Sequence, residues 1–312
     1  MKFKCESNLL GKGISIVEKA VSQKTNLPIM ENIYLELKEN KLKLIGNDLE
    51  LGIEYSIPIE NIEKEGSVLL KAKTISSIIS KLNNQTVNFS VDADHKIVIN
   101  AEKVDFDILG TSTDEYPVLP KIEQGVKIEL TARELKDLIR YTIFAVSFDE
   151  TKEFLNGILV KNENDYLYFI ATDGYRLSLK RKKIEPIETN FSVIIPHRAM
   201  NEFYKILQNI DPDTKIQMNV SQNQVSFMMD EFLLVSRVIQ GSFPDYKQVL
   251  PAEFNNTLSI SRRHFIDASE RASIIAAAFN NVVRLEFGDH LEIKANAPKM
   301  GEFKEEIQIS EY

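Results

Sequence analysis

STDEYPVLP at residues 112–120 and SFPDYKQVLP at residues 242–251 are one turn written twice. Each combines an acidic residue with a tyrosine and closes on Leu-Pro, residue types that set fixed turn geometry. The segments after the two turns also repeat. VKIELTARELKDLIRYTIFAVS starts at Val126, NTLSISRRHFIDASERASIIAAA starts at Asn256, and the chain itself opens MKFKCESNLLGKGISIVEKAVS. All three show a short alternating run, a polar residue and then an apolar period near 3.6. That order predicts strand, helix start and helix. Ser7, Thr131 and Ser261 are the expected N-caps, because a hydroxyl there accepts from the free amides of the first turn.

Strands come after each helix: NIYLELKENKLKLIGNDLELGIEYSI, FLNGILVKNENDYLYFIATDGYRLSL and NVVRLEFGDHLEIKANAPKMGEFKEEIQI. Glu39-Asn40, Asn164-Asp165 and Gly288-Asp289 mark the tight reversals between them. A second copy of the pattern is nested in the first two units. It reads SVLLKAKTISSIISKL before TVNFSVDADHKIVINAEKVDFDILG, and FSVIIPHRAMNEFYKIL before KIQMNVSQNQVSFMMDEFLLVSRVIQG. The unit is therefore one strand, one helix and three strands, about 60 residues long. Five copies fit, at 1–60, 66–120, 126–188, 191–251 and 256–312. The predicted class is α+β, with helices on one side and antiparallel sheets on the other. The predicted domains are 1–122, 123–252 and 253–312, the last holding a single module.

The 312 residues are 43% hydrophobic and 27% charged, a mix suited to packed cores. No apolar run is long enough to span a bilayer, and the N-terminus has no apolar block before a cleavage site, so neither a membrane nor export is expected. The single cysteine, Cys5, points to the cytoplasm. The net charge of −8 argues against nucleic acid until its distribution is considered. Lys12, Lys19, Lys24, Lys73, Lys81, Arg133, Lys136, Arg140, Arg198, Lys205, Arg262, Arg263 and Arg271 lie on or beside the predicted helices. Only Glu18, Glu134, Asp137, Glu202, Asp267 and Glu270 oppose them. A basic helix face backed by acidic strands suits the phosphates of duplex DNA, contacted without base readout.

Catalytic chemistry finds little footing. The four histidines, His95, His197, His264 and His290, have no metal-ligand spacing with one another or with Cys5. Neither a Gly-rich phosphate loop nor a Gly-x-Ser-x-Gly elbow is present. Asp105 with Asp107, Asp48 with Glu50, and Asp211 with Asp213 are carboxylate pairs of the kind that hold magnesium. The first pair carries the rival expectation of a metal-dependent nuclease or phosphohydrolase. Alternating charge along a strand is more simply its solvated face, and Asp173-Gly174 reads as a turn.

These residues resemble the bacterial sliding clamps, the beta subunits of DNA polymerase III, from Met1 to Tyr312. The matching segments are Thr25-Asn26-Leu27-Pro28-Ile29, Leu155-Asn156-Gly157, ATDGYRLSL at 171–179, Ile195-Pro196, GSFPDYKQVLP at 241–251 and Glu270-Arg271-Ala272-Ser273. The resemblance implies a DNA-clamp fold and a non-enzymatic processivity factor, with no cofactor. Its implied partners are duplex DNA, the polymerase III catalytic subunit, a clamp loader and other proteins carrying a clamp-binding motif, with a homodimer ring in the full-length form. It implies a partner-peptide cleft at Leu155, Thr172, Gly174, Tyr175, Arg176, Leu177, Pro244 and Val249, where Gln248 replaces the Arg of some relatives. It implies DNA-facing residues Lys24, His197 and Arg198. It also implies apolar dimer contacts at Ile274 and Ile275, meeting Ile78 and Ile108. Clamps of this family carry six modules. The count of five leads to the expectation of a C-terminally truncated chain with a weakened dimer and cleft.

Overall fold

The module predicted from the repeat is the module that forms. The computed structural model describes residues 1–309 except 23–26, 121, 123, 255 and 256. The first module is β1 (Lys2–Glu6), α1 (Ser7–Val17), β2 (Asn32–Lys38), β3 (Lys41–Asn47) and β4 (Leu51–Pro58), with a short extra strand after it, β5 (Asn61–Lys64). The second is β6 (Gly66–Lys71), α2 (Ala72–Ile79), β7 (Thr86–Val91), β8 (Lys96–Ala101) and β9 (Val104–Leu109). The third is β10 (Val126–Thr131), α3 (Ala132–Arg140), β11 (Gly157–Glu163), β12 (Tyr166–Thr172) and β13 (Leu177–Lys183). The fourth is β14 (Ser192–Pro196), α4 (His197–Leu207), β15 (Lys215–Val220), β16 (Gln224–Met229) and β17 (Phe232–Arg237). The fifth keeps α5 (Arg262–Ala276), β18 (Arg284–Phe287), β19 (His290–Ala297) and β20 (Gly301–Gln308).

Modules are paired by exchanging their opening strands. β1 pairs with β7 of the second module, and β6 of the second pairs with β2 of the first. β10 pairs with β15, and β14 with β11, in the same reciprocal way. Every one of these ladders is antiparallel. One departure from the predicted pattern lies in the fifth module, where residues 257–260 form no continuous strand and Ser259 makes a single β-bridge. The start of that predicted strand, Asn256, lies outside the described residues.

A second rule joins the pairs. The closing strands β4 and β17 pair antiparallel, from Phe232↔Tyr55 to Ser236↔Leu51. They merge two half-sheets into one of eight strands, ordered β10-β15-β16-β17-β4-β3-β2-β6. The other sheets run β5-β1-β7-β8-β9, β13-β12-β11-β14 and β18-β19-β20. The closing strands of the remaining modules, β9, β13 and β20, thus all stand at sheet edges among the described residues. The molecule divides into two compact units, Met1–Pro244 and Asp245–Tyr312.

In the first unit one apolar core runs beneath the helices. α1 packs on α2, and α3 on α4. Phe203 of α4 stacks on Phe227 at 4.3 Å and on Phe232 at 6.2 Å. α1 approaches β3 so closely that a Cβ on Gly46 would sit 2.0 Å from the carbonyl oxygen of Val17, which only glycine allows. The second unit holds a smaller core of Ala268, Ala272, Ala276, Leu291, Ile293, Ala295 and Ile307.

The repeated turn plugs its own sheet. Tyr116 is buried, stacks on Tyr34 at 5.7 Å and donates to the carbonyls of Asn32 and Ile45 at 3.4 Å. Its neighbour Leu119 fills the space above Gly52. Tyr246 of the second turn is equally buried. Of the predicted caps, Thr131 forms a full capping box with Glu134, and Ser261 accepts from the His264 amide. Ser7 differs. It is the first helical residue, and its hydroxyl accepts from the Gln85 amide of the second module at 3.1 Å. Two predicted reversals use left-handed backbone, at Glu39 and Asn40 and at Asn164. The third, at Gly288-Asp289, does not.

Candidate partner and nucleic-acid interface

The helix face carries fewer free cations than the sequence suggests. Lys19 pairs with Glu202 at 3.7 Å, Lys205 with the same carboxylate at 2.6 Å and Arg133 with Asp213 at 3.2 Å. In the second unit Arg271 makes a fork to both oxygens of Glu305. Lys73, Lys81 and Arg140 remain exposed, with Arg140 resting over the Tyr141 ring at 5.8 Å. Lys24 lies outside the described residues.

His197 and Arg198 open α4, but neither is a simple surface cation. His197 is half-buried against Phe148, ring centroids 4.9 Å apart and nearly perpendicular. Burial first, and then Lys205, pushes the imidazole below its ordinary 6.5, so it is uncharged at neutral pH. Arg198 donates to the Asp48 carboxylate and, from Nη2, to the Lys19 carbonyl at 3.2 Å.

Five of the predicted cleft residues, Thr172, Gly174, Tyr175, Arg176 and Leu177, lie at the β12–β13 reversal. Asp173 Oδ1 accepts from the backbone amides of Tyr175 and Arg176, both at 3.0 Å, and Oδ2 accepts from Arg176 Nε at 3.0 Å. Burial alone would raise this carboxyl. The two amides and the guanidinium outweigh that and hold it below its ordinary 3.8. Thr172 completes the turn, accepting from the Gly174 amide at 3.1 Å and donating to the Arg176 carbonyl at 2.7 Å. Gly174 takes φ +93°, a value an L side chain rarely adopts. The turn thereby projects a fully exposed Tyr175 and sets Arg176 over the Phe144 ring at 5.8 Å.

Leu155 is buried, with its carbonyl accepting from the Ser147 amide at 3.0 Å. Leu177 is half-buried and Pro244 is exposed. Val249 belongs to the second unit and is 70% exposed. Two exposed aromatics lie against this group, Phe144 under Arg176 and Tyr141 beside Ser178 and Lys180, and neither was among the expected site residues. Their signal was the apolar run YTIFAVSF continuing after the period of α3 ends.

The predicted dimer residues are not all exposed. Ile274 is 63% exposed, whereas Ile275 is half-buried against the small core. The expected exposed pair is therefore one exposed residue and one packing residue, because about 100° of helical turn separates neighbours. Ile108 is half-buried on edge strand β9. Ile78 is 9% exposed and lines an open cleft of about 570 Å³ with Glu18, Val21, Ser22, Lys71 and Lys73.

Two of the carboxylate pairs, Asp105 with Asp107 and Asp211 with Asp213, are engaged in structural bonds. Asp105 accepts from Asn100 at 2.6 Å and Asp107 pairs with Lys96 at 2.8 Å, both across the β8–β9 ladder. Asp211 accepts from the Asp213 amide, and Asp213 pairs with Arg133. Among the described residues no group of three or more His, Cys, Asp or Glu is placed to hold a metal ion. No described helix is long and apolar enough to cross a membrane.

Models of the DNA polymerase III beta subunit match almost the whole chain: the N-terminal domain at residues 1–120, the central domain at 129–245 and the C-terminal domain at 247–311. The beta sliding clamp of Bacillus subtilis is 34% identical over 318 residues, covering 98% of this chain and 84% of that protein. That of Staphylococcus aureus is 34% identical over 94% of this chain and 80% of its own length. The crystal structure of the Bacillus subtilis DNA polymerase sliding clamp superposes with a TM-score of 0.92 at 32% identity, over 100% of this chain and 84% of that one. A Pseudomonas aeruginosa sliding clamp bound to griselimycin gives 0.93 at 25% identity, over 100% and 85%. A chain that matches these proteins from end to end, and whose repeated module builds their fold, belongs to the bacterial sliding-clamp family, the beta subunits of DNA polymerase III.

Proposed function

We propose that this chain is a non-catalytic DNA polymerase processivity factor that encircles duplex DNA without reading its sequence. The polymerase III catalytic subunit, a clamp loader and other proteins bearing a clamp-binding peptide are its partners, and it acts in the cytoplasm. The observation that carries this reading is the pairing of closing strands. β4 and β17 join two module pairs edge to edge. Applied again, the rule gives edge strand β20 a partner in β9 of a second copy, which builds a head-to-tail dimer. Ile108 on β9, Ile78 in its cleft and Ile274 with Ile275 on α5 are then the apolar contacts of that joint. The reciprocal exchange of opening strands supports the domain reading of 1–122 and 123–252, which leaves 253–312 as the third.

The β12–β13 turn is the anchor for partner peptides in this reading. Tyr175, Arg176, Thr172 and Gly174 offer a rigid polar rim, and Leu155, Leu177 and Pro244 an apolar floor. The nuclease reading has nothing further to support it, since Asp105 and Asp107 each hold a neighbouring strand. Retention on nicked circular duplex in the presence of a clamp loader and ATP tests the proposal. The protein is expected to stay on the circle and leave once the DNA is linearised. Failure to be retained, or cleavage of the circle with magnesium, would overturn it.

A further inference from the structure

We infer that Arg198 and Asp48 form a staple across the seam between the first and fourth modules, so that Arg198 positions the helix face and is not one of its phosphate contacts. The inference rests on the proposed function only in taking that face to be the one that meets DNA. The seam is the β4–β17 ladder, which ends at Ser236↔Leu51. The chain turns just before that end. Asn47 Oδ1 accepts from the Leu49 amide at 2.8 Å, and Leu49 takes φ +74° to make the turn. Asp48 Oδ1 accepts from the amides of Glu50 and Leu51 at 3.1 and 2.9 Å. One carboxylate oxygen is thus fixed to its own loop. The other, Oδ2, receives Nη1 of Arg198 from the start of α4.

Arg198 uses its second amino group as well, donating through Nη2 to the Lys19 carbonyl just beyond α1. One planar guanidinium therefore joins α4 to two separate segments of the first module. The arrangement is reinforced nearby by Lys19 with Glu202 at 3.7 Å, and by the Arg237 amide donating to the Glu50 carbonyl at 2.9 Å. The Asp48 side chain is 7% exposed. A carboxylate so shielded from water requires a partner, and a phosphate that captured Arg198 would strip it away. An ammonium group could replace the charge of Arg198 but not its fixed fork to two acceptors.

Three variants, Arg198→Ala, Arg198→Lys and Asp48→Asn, decide the matter through two readouts. Amide hydrogen exchange at residues 51–53 and 234–236 reports the seam, with the β10–β15 ladder as the reference for intact folding. The slope of log affinity for linear duplex against log salt concentration reports phosphate contacts. All three variants should lower protection at the seam about tenfold against the reference. Arg198→Ala should leave the salt slope unchanged. Wild-type protection in Arg198→Ala or Arg198→Lys would overturn the staple, and a slope reduced by about one in Arg198→Ala would overturn it by making Arg198 a phosphate contact. If the wild-type chain is not retained on nicked circular duplex with a clamp loader and ATP, the proposed function is in error, while the exchange data still decide the staple.

Discussion

Asp173 shows how one carboxylate organises a binding turn. It receives two backbone amides and a guanidinium, so its loss should release Tyr175 and Arg176 together. Asp173→Ala is expected to weaken binding of a clamp-binding peptide at least tenfold, by fluorescence anisotropy, while leaving the circular dichroism unchanged; about 1.4 kcal/mol per tenfold is within the reach of one charged hydrogen bond. Because the folded carboxyl titrates below its ordinary 3.8, the turn is held fully above that pH and loosens as pH falls through the lowered value. His197 has the same direction of shift with the opposite charge. Its neutral form is the one the fold stabilises, so the unfolded chain takes up the proton first. Stability from this group is present above pH 6.5 and is lost as the pH falls below it. His197→Gln should flatten that part of a pH profile of the thermal midpoint; an unchanged profile would show that His197 is not its source.

The opening of α3 shows an element held by its first turn. The Thr131 hydroxyl accepts from the Glu134 amide at 3.3 Å, and Glu134 accepts in return from the Thr131 amide at 3.0 Å. Glu134 also takes Lys182 from β13 at 2.5 Å, so the cap ties helix to sheet. Burial would raise the Glu134 carboxyl, but Lys182 and the Thr131 amide outweigh it and hold it low. Thr131→Ala should cost about 1 kcal/mol in urea denaturation, the usual value of a lost N-cap. Ser7→Ala should act differently. Its hydroxyl bonds Gln85 of the second module, so exchange at residue 85 should rise while α1 keeps its protection. β13 stands at a sheet edge among the described residues, and its Lys180 and Arg181 rest on the rings of Tyr141 and Tyr166.

At the scale of the molecule, the edges carry the assembly. Closing strands that pair inside the chain, β4 with β17, make a continuous sheet, and those left at edges are the joints available to other chains. Leu109 on β9 is 82% exposed and Ile274 on α5 is 63% exposed, so apolar surface accompanies open backbone at both proposed halves of the joint. Ile108→Lys and Ile274→Asp should each move the sedimentation profile toward monomer, with unchanged circular dichroism. A profile that stays at wild type for both would remove these residues from the interface.

The sequence by itself determined the module, its repetition and its family. Periodicity is local, so the alternating runs and the 3.6 period at Val126 or at Met1 could be read without knowing what they face. The Asp-Gly of the β12–β13 turn was legible for the same reason, since its geometry is fixed by the residues of the turn. The pairing of modules was not legible. Strand exchange between β1 and β7 or β10 and β15 depends on ladders about 80 or more residues apart, and the first of these sets Ser7 to bond Gln85 instead of capping its own helix. Charge was read only in part. The sequence shows which residues are basic, but only the tertiary structure shows which of them already has an acid beside it. Asp48 and Arg198 are 150 positions apart, and their pairing depends on the β4–β17 ladder that brings the two modules together. Electrostatic partnership falls off over a few ångströms in space, not along the chain, and only the fold determines that distance.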